Sequence, residues 1–283
     1  MSKKTAQTEG TGNVDPVTEI TQVIESEAAN LRTTITVLGE RRKLANDALA
    51  LYDLLARQAN IAAGADETEI GALLVMFPLM AACRFQLTMS VLQNWRGRAV
   101  EALAPLRRAT EMCGAACYIR KNPALAGVWV SASDSDEAYK LHKKTFNVKL
   151  IFPKSDPTLN HLFEIFDFSS KVIHNSIFAI AGQTQTLNSS FQYFDIKGPG
   201  DPALMRTFIY IVSAHESMIR AFLDAFRGAL MDEPLIDREL RTFSERLQRH
   251  RDTLRDFASS DLSAETRLKL KRKAQEVRRK VPV

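Results

Sequence analysis

In PLRRATEMCGAACYI, Arg107 and Glu111 stand four residues apart, and in FSSKVIHNS, Ser170 and His174 repeat that spacing. On a helix each pair falls on one face. An arginine fork can hold a phosphate or carboxylate, a near-neutral imidazole can take up and release a proton, and a carboxylate or hydroxyl can orient either. Brought together, the four would make a proton-transfer site beside an anion-binding group. The same four would equally make a satisfied polar network that pins helix register without chemistry. Apolar neighbours surround both pairs: Leu106, Ala109, Cys113, Ala116, Cys117 and Ile119 on one side, Phe166, Val172, Ile173 and Phe178 on the other. An arginine in such surroundings needs a partner, because unpaired burial of its charge is costly, and Glu111 is the expected one.

The elements that must position these residues are helices. Asp15-Pro16, Asp156-Pro157 and Asp201-Pro202 each put a capping oxygen before a proline whose missing N–H is harmless in a first turn. Asp66 with Glu69 resembles a capping box opening a helix at Ile70 that runs to about Trp95, and another start falls near Ser133 or Asp134. Ile20, Val23, Ile24, Leu31, Ile35 and Leu38 recur at helical spacing, as do Leu44, Ala48, Leu51, Leu55 and Ala59. A helix from about Arg96 to Arg120 carries Arg107, with Pro105 kinking it or marking its first turn, and Asn122-Pro123 ends it. The segment 182–201 reads as loop with at most a short strand or hairpin. One long apolar helix follows Asp201, then two basic helices over Pro234 to about Phe257 and Ser263 to about Lys280. The fold class expected is all-α: a multi-helix bundle of long antiparallel helices with a basic C-terminal helical extension. The organisation expected is a disordered 1–14, a bundle over 15–232 with its polar site on about 96–176, and C-terminal helices over 233–283.

Hydrophobic residues at 45% and charged residues at 25% exclude a wholly disordered or multi-span membrane chain. The net charge of +5 is unevenly spread, since Arg238 to Val283 alone balance at +7. Lys269, Lys271, Arg272, Lys273, Arg278, Arg279 and Lys280 concentrate that charge, which favours phosphate backbones without reading sequence. A solvated helix face would look the same. No aromatic residue follows Phe257, so the tail has no platform for stacking bases. Cys83, Cys113 and Cys117 are odd in number and sit in apolar helical context, which indicates reduced, packed thiols. The apolar run Ile70 to Cys83 falls short of a span and contains Pro78, so membrane insertion is not expected. Peripheral contact of the basic tail with anionic lipid stays open. The two lysines near the N-terminus have no apolar segment behind them, so no secretory signal is expected and the expected location is the cytoplasm.

The blocks LRRATEMCGAACYIRKNPALAGVW, YKLHKKTF and LFEIFDFSSKVIHNS resemble a poorly characterised set of bacterial helical proteins with an Arg-x-x-x-Glu helix and a Ser-x-x-x-His helix. That set is similar to the HEPN superfamily of helical bundles, many of them metal-independent ribonucleases of toxin and phage-defence systems. The resemblance implies that Arg107, Glu111, Ser170 and His174 line one site, and that the protein binds nucleic acid or a protein partner. It departs from the catalytic HEPN signature, an Arg followed after four to six residues by a His, because none of His142, His161, His174, His215 and His250 has an Arg so placed. Arg246 and His250 come nearest, with three residues between. Ribonuclease activity is therefore expected to be weak or absent. A metal site built on His161 and Glu164 with Glu111 or His174 is the enzymatic alternative, but no paired Glu-x-x-His motif supports it. No metal and no cofactor is expected. The non-enzymatic alternative is a structural protein whose helices bury against a second copy, a homo-oligomer.

Overall fold

The computed structural model describes residues 16–61, 66–173, 184–187, 190–193 and 202–260. Helix α1 spans Pro16–Leu38 and turns through a 3-10 segment, Gly39–Arg41, into α2, Arg42–Gln58. Then come α3 (Glu67–Trp95), α4 (Leu103–Lys121), the short α5 (Leu125–Val130), α6 (Asp136–Thr145), α7 (Val148–Ile151) and α8 (Pro157–Ile173). A two-stranded antiparallel hairpin follows, β1 (Thr184–Leu187) against β2 (Ser190–Tyr193), in the register Thr184 to Tyr193 and Leu187 to Ser190. Two long helices complete the order among the described residues, α9 (Pro202–Ala225) and α10 (Glu233–Ser260). The chain is an all-α multi-helix bundle. His174 and the tail cations Lys269, Lys271, Arg272, Lys273, Arg278, Arg279 and Lys280 lie outside the described residues, as does the expected second basic helix.

Two of the expected helix starts show the capping hydrogen bonds, while Asp15 and Asp201 lie outside the described residues. Asp156 Oδ1 accepts the Leu159 N–H at 3.0 Å and opens α8, and Asp66 Oδ1 accepts the Glu69 N–H at 2.9 Å and opens α3. The cap of α6 is Ser135, accepting from Ala138 at 3.1 Å, slightly later than Ser133 or Asp134. The helix expected from Arg96 begins only at Leu103, because Gly97 adopts a φ of +93° that an α-helix cannot continue through. Pro105 therefore lies in the first turn of α4, where its missing N–H breaks no hydrogen bond.

Packing centres on α4 and α9. Helix α4 lies against α3, α7, α8 and α9, and α9 touches α2, α3, α8 and α10. Ile236, Leu240, Phe243 and Leu247 of α10 join the same apolar core as Leu44, Leu55, Phe208 and Phe222. The first of the two expected C-terminal helices, α10, forms a wall of the bundle through these residues. The three cysteines are free and buried, with Cys83 Sγ 3.2 Å from the Ala109 carbonyl. Gly114 is required by packing: a Cβ there would stand 2.6 Å from Phe152 Cε1. Helix α3 is longer than its apolar run suggested, 29 residues, and it is the one helix among the described residues long and apolar enough to cross a bilayer. At one end of the bundle Ala59 and Leu230 form an antiparallel bridge, with the Asn60 N–H donating to the Ala229 carbonyl at 2.7 Å and the Met231 N–H to that of Gln58 at 2.9 Å.

Candidate functional site

Helices α4 and α8 pack directly together, which brings one member of each sequence pair into contact. Arg107 Nε donates to Ser170 Oγ at 2.9 Å, and its guanidinium carbon lies 5.1 Å from the centroid of the Phe166 ring. Ser170 and Phe166 are four apart on α8, so that helix offers a hydroxyl and a ring face one above the other. Both Arg107 and Ser170 are half-buried. With Nε engaged and the plane fixed by the ring, the Nη groups keep no protein partner among the described residues. That is how an anion-binding arginine is held: oriented, partly desolvated, with donors in hand.

The Arg107–Glu111 ion pair does not form. Arg107 is drawn across to α8, whereas the Glu111 carboxylate lies within electrostatic reach of His142 on α6. Burial lowers the basicity of His142, and Glu111 opposes that shift. His142 stands among aromatic rings, 4.9 Å from Trp129 and 5.0 Å from Phe146 between centroids. Glu111 thus lies on the same helix as Arg107 but serves another neighbourhood. The nearest approach to a HEPN signature is also dispersed: Arg246 pairs with Asp47 at 3.0 Å, and burial together with Arg41 and Arg249 holds His250 below the usual imidazole range. His161 and Glu164 do meet, Nδ1 to Oε2 at 3.5 Å, on an exposed turn of α8. Among the described residues no three His, Cys, Asp or Glu side chains gather closely enough to hold a metal ion.

Two further polar clusters were not singled out in the sequence. Tyr52 of α2 hydrogen-bonds His215 Nδ1 of α9 at 3.0 Å, both wholly buried, and His215 Nε2 has no partner among the described residues. Burial brings the His215 pKa down to about 3, so the imidazole is neutral. The second cluster surrounds Glu216, only 7% exposed. Its carboxylate accepts from Ser244 Oγ at 2.6 Å, Arg220 Nη2 at 3.0 Å and Arg251 Nη2 at 3.0 Å. Burial would raise the Glu216 pKa, but the Ser244 and Arg220 hydrogen bonds and the two guanidinium charges outweigh it and hold the group below the usual carboxylate range. The signal for this cluster was half visible: Glu216 and Arg220 are four apart inside an apolar helix, while Arg251 comes from a distant segment with no local cue.

No family model matches the chain, and neither the curated proteins nor the solved structures contain a match to it.

Proposed function

We propose that this protein is a HEPN-like helical module that binds RNA, with metal-independent cleavage weak or absent. The observation that carries the reading is the contact of Arg107 Nε with Ser170 Oγ at 2.9 Å, which joins the two motif-bearing helices and leaves a fixed guanidinium with donors for a phosphate. In the cleaving version His174, one turn beyond Ser170 in sequence, takes the proton of a ribose 2′-hydroxyl. The 2′-oxygen then bonds to phosphorus, the 5′-oxygen leaves and is protonated by solvent, and Arg107 stabilises the charge on the phosphate. Glu111, which acts electrostatically on His142, is given no part in that step. By the same resemblance the biological setting is bacterial defence or toxin-like regulation in the cytoplasm, and the basic tail adds sequence-independent affinity.

The test is to titrate a labelled mixed-sequence RNA with wild type, Arg107→Ala, His174→Ala and a chain lacking residues 262–283, across a salt series and with EDTA. Binding that weakens steeply with salt, and falls with Arg107→Ala at unchanged circular dichroism, is the expected outcome. Any cleavage should survive EDTA and vanish with either single substitution. A wild-type protein that ignores RNA even at low salt would overturn the proposal.

A second reading, self-association, has its own observation. On α3, Leu74, Pro78, Ala81 and Phe85 recur at intervals of four, three and four and all face outward, with Leu74 54% and Phe85 58% exposed. Such a stripe on a monomer marks an interaction surface.

A further inference from the structure

The tail lacks aromatic residues, but the bundle has a place where cations and rings meet. Helices α8 and α10 both pack on α9, and a groove of about 590 Å³ lies over α9 between them. Ile165, Ile209 and Ala214 give it an apolar floor, and Arg206, Arg251 and His161 bring basic groups to it. Among the described residues that line it there is no carboxylate, and Glu164 lies just outside, close to His161 and Tyr210.

Arg251 is the pre-organised member. Its Nε donates to Ser213 Oγ at 2.9 Å and its Nη2 to the Glu216 carboxylate at 3.0 Å, while Arg220 and Ser244 occupy the other lone pairs of Glu216. One buried carboxylate set against two guanidiniums leaves the cluster net positive, and it holds Arg251 by two of its three nitrogens. Exposed Arg206 adds a second cation to the groove with no carboxylate partner among the described residues. At the edge, Tyr210 lines the groove and meets Phe168 edge-to-face, centroids 5.2 Å apart at 68°. Phe168 is 49% exposed, an aromatic ring left open to solvent against Tyr210 at the edge of the groove. Sequence-tolerant binding of single-stranded nucleic acid needs that combination: guanidiniums for the backbone and a ring on which a base can stack.

We infer that the groove over α9 between α8 and α10 docks single-stranded RNA, with phosphates on Arg206 and Arg251 and a base stacked at Phe168 and Tyr210. The inference rests on the RNA-binding reading above and assigns the strand a surface on the opposite side of α8 from Arg107. Glu216 is a positioning residue, acting through Arg251.

The test uses fluorescence anisotropy with the full chain and a labelled 12-nucleotide uridine-rich RNA, single-stranded and as a duplex, against wild type, Arg206→Ala, Phe168→Ala and the double variant. Both side chains are exposed, so the fold survives their removal, and circular dichroism checks it. Each single substitution should weaken single-strand binding about tenfold, the double about a hundredfold, and Arg206→Ala should lower the salt slope by about 1. The duplex, whose bases are not free to stack, should bind more weakly than the single strand. Single-strand binding that persists unchanged in the double variant would overturn the groove while leaving RNA binding in place. Equal affinity for duplex would remove the stacking role, and no RNA binding by wild type would overturn both the groove and the function it rests on.

Discussion

Burial keeps His215 neutral down to about pH 3, whereas in the unfolded chain the same imidazole takes up a proton near 6.5. Between those values the unfolded state binds more protons, so stability rises with pH and is lost as the solution is acidified. The loss from this residue alone should reach about 2 kcal/mol between pH 7.5 and 5. Urea denaturation of wild type and His215→Gln at those two pH values measures it, and an equally steep dependence in the variant would acquit the histidine. Glu216, held below its usual range, weakens the fold only when protonated, which happens below the usual carboxylate range, so it adds little between pH 7.5 and 5. Of the site residues, Arg107 and Ser170 were legible because their spacing placed each on a helix face pointing at apolar neighbours. Arg107 was assigned the wrong partner, since local spacing names the nearest carboxylate on the same helix and says nothing of a hydroxyl and a ring on another. Tyr52 and His215 are 163 residues apart, and no local pattern joins them.

The contact between α4 and α7 turns on Gly114, the gap into which the Phe152 ring fits. That ring cannot simply retreat, because Phe163 and Phe166 stand 6.1 and 5.7 Å from it between centroids. Gly114→Ala should therefore destabilise the fold by about 1–3 kcal/mol despite alanine's better helix propensity, with Phe152→Leu in the same chain recovering part of the loss. A neutral or stabilising Gly114→Ala in urea titration would show that the helices part at no cost. Most elements were readable, because Asp and Pro mark starts by hydrogen-bonding rules that act within four residues. The start of α4 was missed by several residues, since a glycine in an apolar stretch does not reveal whether its φ is positive until the chain turns.

At the scale of the molecule an all-α bundle followed from amphipathic helices and the lack of strand patterning, whereas the depth to which α10 packs into it was not announced by its charge. Helix α10 reads as a charged terminal helix because polar residues fill most of its sequence, yet its apolar stripe fills the wall beside α2 and α9. Should the outward stripe of α3 be a self-association surface, light scattering at micromolar concentration will give twice the chain mass. Leu74→Glu with Phe85→Glu will halve that mass without changing the helical spectrum; a monomeric wild type would end that reading. The bridge between Ala59 and Leu230 also bears on how the protein is born. Helix α2 emerges from the ribosome early, but its phenol awaits an imidazole on α9 and its Asp47 awaits Arg246 on α10. At a synthesis rate of about 5–20 residues per second, roughly ten seconds or more separate those partners. During that interval α3, the most apolar of the described helices, has only part of its cover, so the nascent chain should lean on chaperones until α10 is translated.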